Sequence, residues 1–299
     1  INRGYLYSAQ GKYSEAKAQC ERALEILESL PVQKNERSTI YALMNLGTTY
    51  RHYGEYDNAA QSYDKSLGVA RERNDEEAIC DVLQHLGINQ HLWGRKLRRE
   101  GKELSEACMH QMLAWQQLVD SLNVAERADW RNSIADGLNR LGKVYREIYR
   151  LQTVISRNHN AYGSLAELQN LALNYQPLIE FEYSQHTMTT KSLADGDWLE
   201  KAARLFEISA LLATEAHDFQ RALESWIETA RVFEELGLDD KIPIIIRKIA
   251  RTPGYVYEQK VFAAVSELIL ADSDFKRGNS NRALQRFQKA YFELAEQTG

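Results

Sequence analysis

A search for chemistry along the 299-residue chain begins with the side chains that could attack, ligate or cradle. Phosphate-binding loops need glycines that let backbone amides approach the anion, and neither GxxxxGK[ST] nor GxGxxG occurs. Metal sites need convergent ligands. His85 and His91 lie six residues apart on different helix faces, Cys108 and His110 diverge, and neither CxxC nor HExxH is present. Cys20 takes a position where aromatics stand elsewhere, and Cys80, near a helix start, reads as packed rather than reactive. The acid pairs Asp195/Asp197 and Asp239/Asp240 fall in expected turns, and Asp272/Asp274 point apart on a helix. The chain is expected to lack enzymatic activity, bound metal and cofactor.

Two other features can bind. Arg95, Lys96, Arg98, Arg99 and Lys102 form a basic stretch able to meet phosphate or an acidic partner, although Glu100, Glu103 and Glu106 offset it. Sixteen tyrosines could stack on bases, but Tyr7, Tyr50, Tyr63 and Tyr145 fall on expected core positions. A net charge of −5 and a pI near 5.9 argue against a general nucleic-acid binder.

The elements that must position these residues are helical. Only four prolines occur, at 31, 177, 243 and 253, and long helices exclude proline because it costs about 3 kcal/mol in their interiors. β-Branched runs are nearly confined to Ile244-Ile245-Ile246. The expected fold is all-α. No run of 18 apolar residues suggests a membrane span or a signal peptide. Three widely spaced cysteines fit a reducing compartment, so a cytoplasmic location is expected. A first residue Ile1 suggests a segment of a longer protein.

A phrase recurs. Leu-x-x-Leu-Gly stands at 43–47, 83–87 and 138–142, followed by Tyr50 after Gly47 and Tyr145 after Gly142. Gly54, Tyr56, Ala59 and Tyr63 follow the first of these, and Gly11, Tyr13, Ala16 and Cys20 give the same spacing earlier. Gly278, Ala283, Phe287 and Ala290 close the series, and Phe219, Ala222 and Trp226 match more loosely. In this pattern the chain resembles the tetratricopeptide repeat family, in the long-period form of kinesin light chains and of sensor regions of bacterial signalling ATPases. The resemblance implies a right-handed superhelical solenoid of about six helical pairs, irregular in the middle, with a concave groove for a protein or peptide.

The expected pairs are 1–10 with 13–30, 36–53 with 56–73, 76–100 with 103–121, 125–157 with 161–175, 197–216 with 219–236, and 255–276 with 280–297. An extra helix near 178–194 and a short one near 240–250 complete the map. Gly47 should face Ala59, so that two backbones approach closely. Gly94 sets up a third pair longer by eight residues, with Ala107 as its small partner, and Ala166 is the nearest partner for the fourth. These readings divide the chain into an array over 1–150, a helical joint over 151–195 and a second set of pairs over 196–299.

In such arrays the first helix of each pair lines the groove. The resemblance thus nominates Met44, Asn45, Thr48, Arg51 and His52, then Gln84, His85, Ile88 and His91, then Asn139, Arg140, Lys143 and Arg146. Asn and Gln can pair with a peptide backbone, and the last group favours acidic or phosphorylated segments. The family's clamp for a free C-terminal carboxylate needs lysines beside an asparagine. Here Asn45 matches, but Tyr41, Met44, Asp81 and His85 occupy the other positions, which argues against that ligand. The sequence points to a protein-binding scaffold acting as the regulatory or sensor segment of a larger intracellular protein, whose other domains are further candidate partners. The alternative is a small-molecule or nucleic-acid sensing domain of a signalling ATPase or transcription regulator.

Overall fold

The computed structural model describes residues 7, 10–29, 36–101, 103–156, 161–173, 198–238, 240–252 and 256–295. The expected helices at 1–10, apart from residues 7 and 10, and at 178–194 lie outside them. The described residues form twelve α-helices and no strand: α1 (Tyr13–Glu28), α2 (Glu36–Tyr53), α3 (Tyr56–Glu72), α4 (Glu76–Glu100), α5 (Leu104–Arg127), α6 (Arg131–Ile155), α7 (Tyr162–Leu173), α8 (Trp198–Glu215), α9 (Phe219–Glu235), α10 (Ile242–Arg251), α11 (Val256–Lys276) and α12 (Ser280–Ala295). They fall into two compact units, residues 1–129 with 150–187, and residues 130–149 with 188–299. Helix α6 is shared, its last residues belonging to the first unit.

Local signals set the helix ends. Asp75 caps α4 by accepting a hydrogen bond from the Ala78 amide at 3.1 Å, and Asp218 does the same for α9 from the Arg221 amide. Gly54, with φ +78°, makes the left-handed turn between α2 and α3.

One packing device recurs three times. At Gly47 of α2 the ring of Tyr63 lies so close that an added Cβ would sit 2.7 Å from it. Gly87 of α4 stands in the same relation to Leu118, at 2.6 Å, and Gly142 of α6 to Phe206, at 2.7 Å. The atoms nearest to Gly47 belong to the Tyr63 ring, one turn along α3 from the buried Ala59. Three residues beyond each large side chain a buried serine donates its hydroxyl to the carbonyl seven residues before the glycine. These bonds are Ser66 to Ile40 at 2.9 Å, Ser121 to Cys80 at 3.1 Å and Ser209 to Ala135 at 2.6 Å. Glycine removes the side chain that would hold the helices apart, the large residue fills the seam, and the serine pins the register.

This register corrects two expectations. In the third pair, α4 and α5 have 25 and 24 residues against 18 and 17 for α2 and α3. The extension is therefore seven residues, about two turns, on each helix, against the eight residues expected for the pair as a whole. Gly94, placed where Gly54 turns the chain, stays helical and presses against the Ala107 carbonyl and Gln111; Gly101, φ +68°, makes the turn instead. The fourth glycine helix, α6, makes its glycine contact with α8, through Gly142 and Phe206, while its last turn meets α7 where Gln169 donates to the Gln152 side-chain oxygen at 3.4 Å. Helix α7, which occupies the expected position, packs on α5 in the first unit. In the second unit α8 also packs on α9, which touches α10 and α11, and α11 packs on α12.

Candidate functional site

The strongest convergence of nominated residues surrounds Tyr63. This ring is fully buried at the junction of α2, α3 and α4. Its hydroxyl lies 3.0 Å from the Thr48 hydroxyl. The His85 ring stacks on it with centroids 5.6 Å apart, and the Arg51 guanidinium lies 6.0 Å from its centroid. Thr48, Arg51 and His85 are half-buried, as are Asn45 and Ile88 on the same two helices. Helix α2 touches α4 directly as well as through α3. His52 is exposed and stacks on Tyr13 of α1 at 5.6 Å. Desolvation of its ring, then the charge of Arg51, holds the imidazole below its usual pKa.

Other nominated residues are structural. Met44 belongs to the core between α2, α3 and α4. Gln84 is buried and points its amide at the Cys80 sulfur. His91 is buried, its Nδ1 3.0 Å from the Gln111 side-chain oxygen. Asn139 is fully buried and donates to Ser225 Oγ at 2.7 Å; that oxygen lies 2.9 Å from Ser209, which donates to Ala135. This chain of polar groups ties α6, α8 and α9 together, so Asn139 presents nothing to a peptide. These four are buried because an amphipathic helix buries the face that meets its neighbours.

The three cations of α6 are held by carboxylates of the second unit. Lys143 meets Glu224 at 2.7 Å. Arg146 bonds Glu228 at 2.7 Å and also Glu235. Arg140 bonds Asp136 at 2.7 Å, which also receives Arg221. Burial alone would raise the Glu224 pKa, but Lys143 and Arg221 outweigh it and hold the carboxyl below its ordinary value. The positive charge expected to draw acidic segments is thus internally compensated. The signal for this was present in the sequence as Glu224, Glu228 and Glu235 along α9.

The extension of α4 and α5 carries residues that spacing alone did not nominate. Gln90 Oε1 lies 2.6 Å from His110 Nδ1, reciprocal to the His91–Gln111 bond. Trp93 stacks on His110 at 4.0 Å and on Tyr56 at 6.2 Å. Burial pushes the His110 imidazole down to about 4 and the Cys108 thiol up to about 12, so both stay neutral and Cys108 is no nucleophile. Outside this packed seam, Tyr56, Leu92, Arg95, Lys96, Arg99 and Glu100 line an open pocket of about 370 Å³.

Among the described residues no group of three or more His, Cys, Asp or Glu is placed to hold a metal ion, and no helix is long and apolar enough to cross a membrane. A sequence model described as tetratricopeptide repeat matches residues 1–72. The Photosystem I assembly protein Ycf3 of Rippkaea orientalis (strain PCC 8801 / RF-1) is 26% identical over 131 residues, 42% of this chain and 69% of that protein. The crystal structure of BtubC (BKLC) from P. vanneervenii aligns with 12% identity and a TM-score of 0.48, over 96% of this chain and 92% of that one. The family match covers residues 1–72, and the helix pairs with the thrice-repeated glycine contact give the described residues an all-α helical repeat fold.

Proposed function

We propose that this protein is a peptide-binding scaffold whose recognition surface is the α2–α4 face of the first unit. The observation that carries this reading is the convergence of Thr48, Arg51 and His85 on the buried Tyr63 ring. It fixes three polar side chains from two helices at a half-buried surface flanked by Asn45, His52 and Ile88. A rigid, partly desolvated polar surface recognises an extended segment at low entropic cost, because its side chains are already ordered. The relative named an assembly protein supports the scaffold reading. We place this surface in the regulatory or sensor segment of a larger intracellular protein, on the resemblance of the sequence's repeat pattern alone.

Selection of a displayed random-peptide library on the full chain tests the surface. Selected peptides should bind the wild type and lose at least about tenfold in affinity for the Asn45→Ala, His52→Ala double variant, with an unchanged thermal melt. Equal binding to both proteins would remove the α2–α4 face from consideration.

A further inference from the structure

The two-turn extension of α4 and α5 ends in a cationic shelf. Its floor is Leu92 and the ring of Tyr56, the latter stacked on Trp93, which is itself held against the buried His110. The Asn89 side chain donates to the Tyr56 carbonyl at 2.9 Å, which fixes the start of α3 against α4. Arg95, Lys96 and Arg99 line the shelf with a single acid, Glu100. The Lys96 ammonium lies 5.7 Å from the Tyr56 ring centroid. Lys96 and Arg99 are exposed, and among the described residues neither forms an ion pair. The contrast is with Lys143 and Arg146 of the second unit, each matched to a carboxylate at 2.7 Å.

Packing does not account for this shelf. Arg95 and Arg99 stand one turn apart on one helix face, where like charges repel. The helix C-terminus favours cations, but its field is confined to the last turn, and Arg95 and Lys96 precede Arg98 and Arg99 there. A net positive lining in a chain of net charge −5 complements negative charge, and the apolar floor of Leu92 and Tyr56 complements an apolar side chain.

We propose that this shelf docks an acidic peptide segment of a partner protein, its carboxylates meeting Lys96, Arg99 and Arg95 and an apolar side chain resting on Leu92 and Tyr56. The proposal rests on the scaffold reading but uses a surface separate from Asn45 and His52, so the two can fail independently.

The probe is a fluorescein-labelled Glu-Asp-Leu-Glu-Asp-Leu peptide, titrated with the full chain and followed by anisotropy. Binding should weaken as salt is added and be lost when Gln and Asn replace the acids. Lys96→Glu with Arg99→Glu should reduce affinity at least about tenfold, and the milder Lys96→Ala with Arg99→Ala should reduce it in the same direction. Circular dichroism of both variants should match the wild type. Lys65→Glu with Arg127→Glu changes net charge equally at exposed positions elsewhere in the first unit and should leave binding intact. No binding by the wild type, equal binding of the neutral peptide, or equal loss in the control variant would overturn the proposal. So would displacement of the probe by polyuridylate at lower concentration than by unlabelled peptide, which would assign the shelf to nucleic acid.

Discussion

Two helix pairs use one contact set across very different stretches of chain. In the pair α2 and α3, Gly47 meets Tyr63 sixteen residues later; in the pair α6 and α8, Gly142 meets Phe206 sixty-four residues later. Both then place a serine hydroxyl on the carbonyl seven residues before the glycine, Ser66 on Ile40 and Ser209 on Ala135. The repeat is therefore a pairing geometry between two helix faces rather than a spacing. Chain can be inserted at the tip because closing a longer loop costs only a slowly growing entropy. The α4 and α5 pair is the intermediate case, in which added residues prolong the helices themselves.

The largest effect should come from filling the glycine seam. Gly142→Leu drives a side chain into Phe206 and should destabilise the second unit by about 3 kcal/mol, at the upper end of overpacking costs. Hydrogen exchange should then lose protection in α6, α8 and α9, with α7 retained. Loss confined to α7 would restore the 161–175 pairing. Gly47→Leu should give a similar loss centred on α2 and α3. Gly142→Ala with Phe206→Leu should be less destabilised than the sum of the single changes, because the smaller side chain relieves the contact.

Sequence made the α2–α3 pair and its flanks legible almost residue by residue. Gly47, Gly54, Asp75 and the buried Cys20 took the kinds of place their types and spacing imply, since contacts between neighbouring helices leave short-range marks. The α6–α8 pairing was not read, although its signature was printed: Ala59-x-x-x-Tyr63-x-x-Ser66, Ala114-x-x-x-Leu118-x-x-Ser121 and Ala202-x-x-x-Phe206-x-x-Ser209 share one pattern. Searching at a fixed period looks in the wrong place once a segment is inserted. The candidate site was half legible. In the Leu-x-x-Leu-Gly phrase Asn45 takes the second variable position and Asn139 the first, where α2 has the buried Met44, and Ser225 of α9 claims Asn139. Charge compensation by Glu224 and Glu228 involves partners about 80 residues away, beyond any local pattern.

The two units should also differ in acid response. His110 of the first unit titrates near 4 when folded and near its ordinary 6.5 when unfolded. A lowered base pKa means that the unfolded chain binds the proton first, so stability is full above about pH 6.5 and falls toward pH 4. His52, lowered by desolvation, acts in the same sense. In the second unit the lowered carboxyls of Glu224 and Glu267 contribute stability above their ordinary range and lose it only as pH falls through their folded values. Asp64 and Asp120 in the first unit and Glu207 in the second, raised by burial, act oppositely. Urea unfolding followed through α5 should therefore show about 2 kcal/mol lost between pH 6.5 and 5, while α9 changes little. His110→Gln should flatten the first response; an unchanged slope would assign it elsewhere.

Smaller still, and sharper as a comparison, are the three serines. Each makes one hydrogen bond to a carbonyl at an equivalent position, at 2.9 Å, 3.1 Å and 2.6 Å for Ser66, Ser121 and Ser209. Serine-to-alanine removes the donor but keeps the small volume, so the cost is that of one buried bond, about 1 kcal/mol. If the three pairs share one geometry, Ser66→Ala gives the base cost, and Ser121→Ala should exceed it only by the weak contact of its hydroxyl with the Cys80 sulfur at 3.2 Å. Ser209→Ala should cost more, because it also leaves Ser225 with one polar neighbour fewer beside the buried Asn139. Equilibrium unfolding with hydrogen exchange at Ile40, Cys80 and Ala135 reads all three. A neutral Ser209→Ala beside a costly Ser66→Ala would mean that the long insertion has loosened the α6–α8 seam, and that the shared register holds in its glycine contact alone.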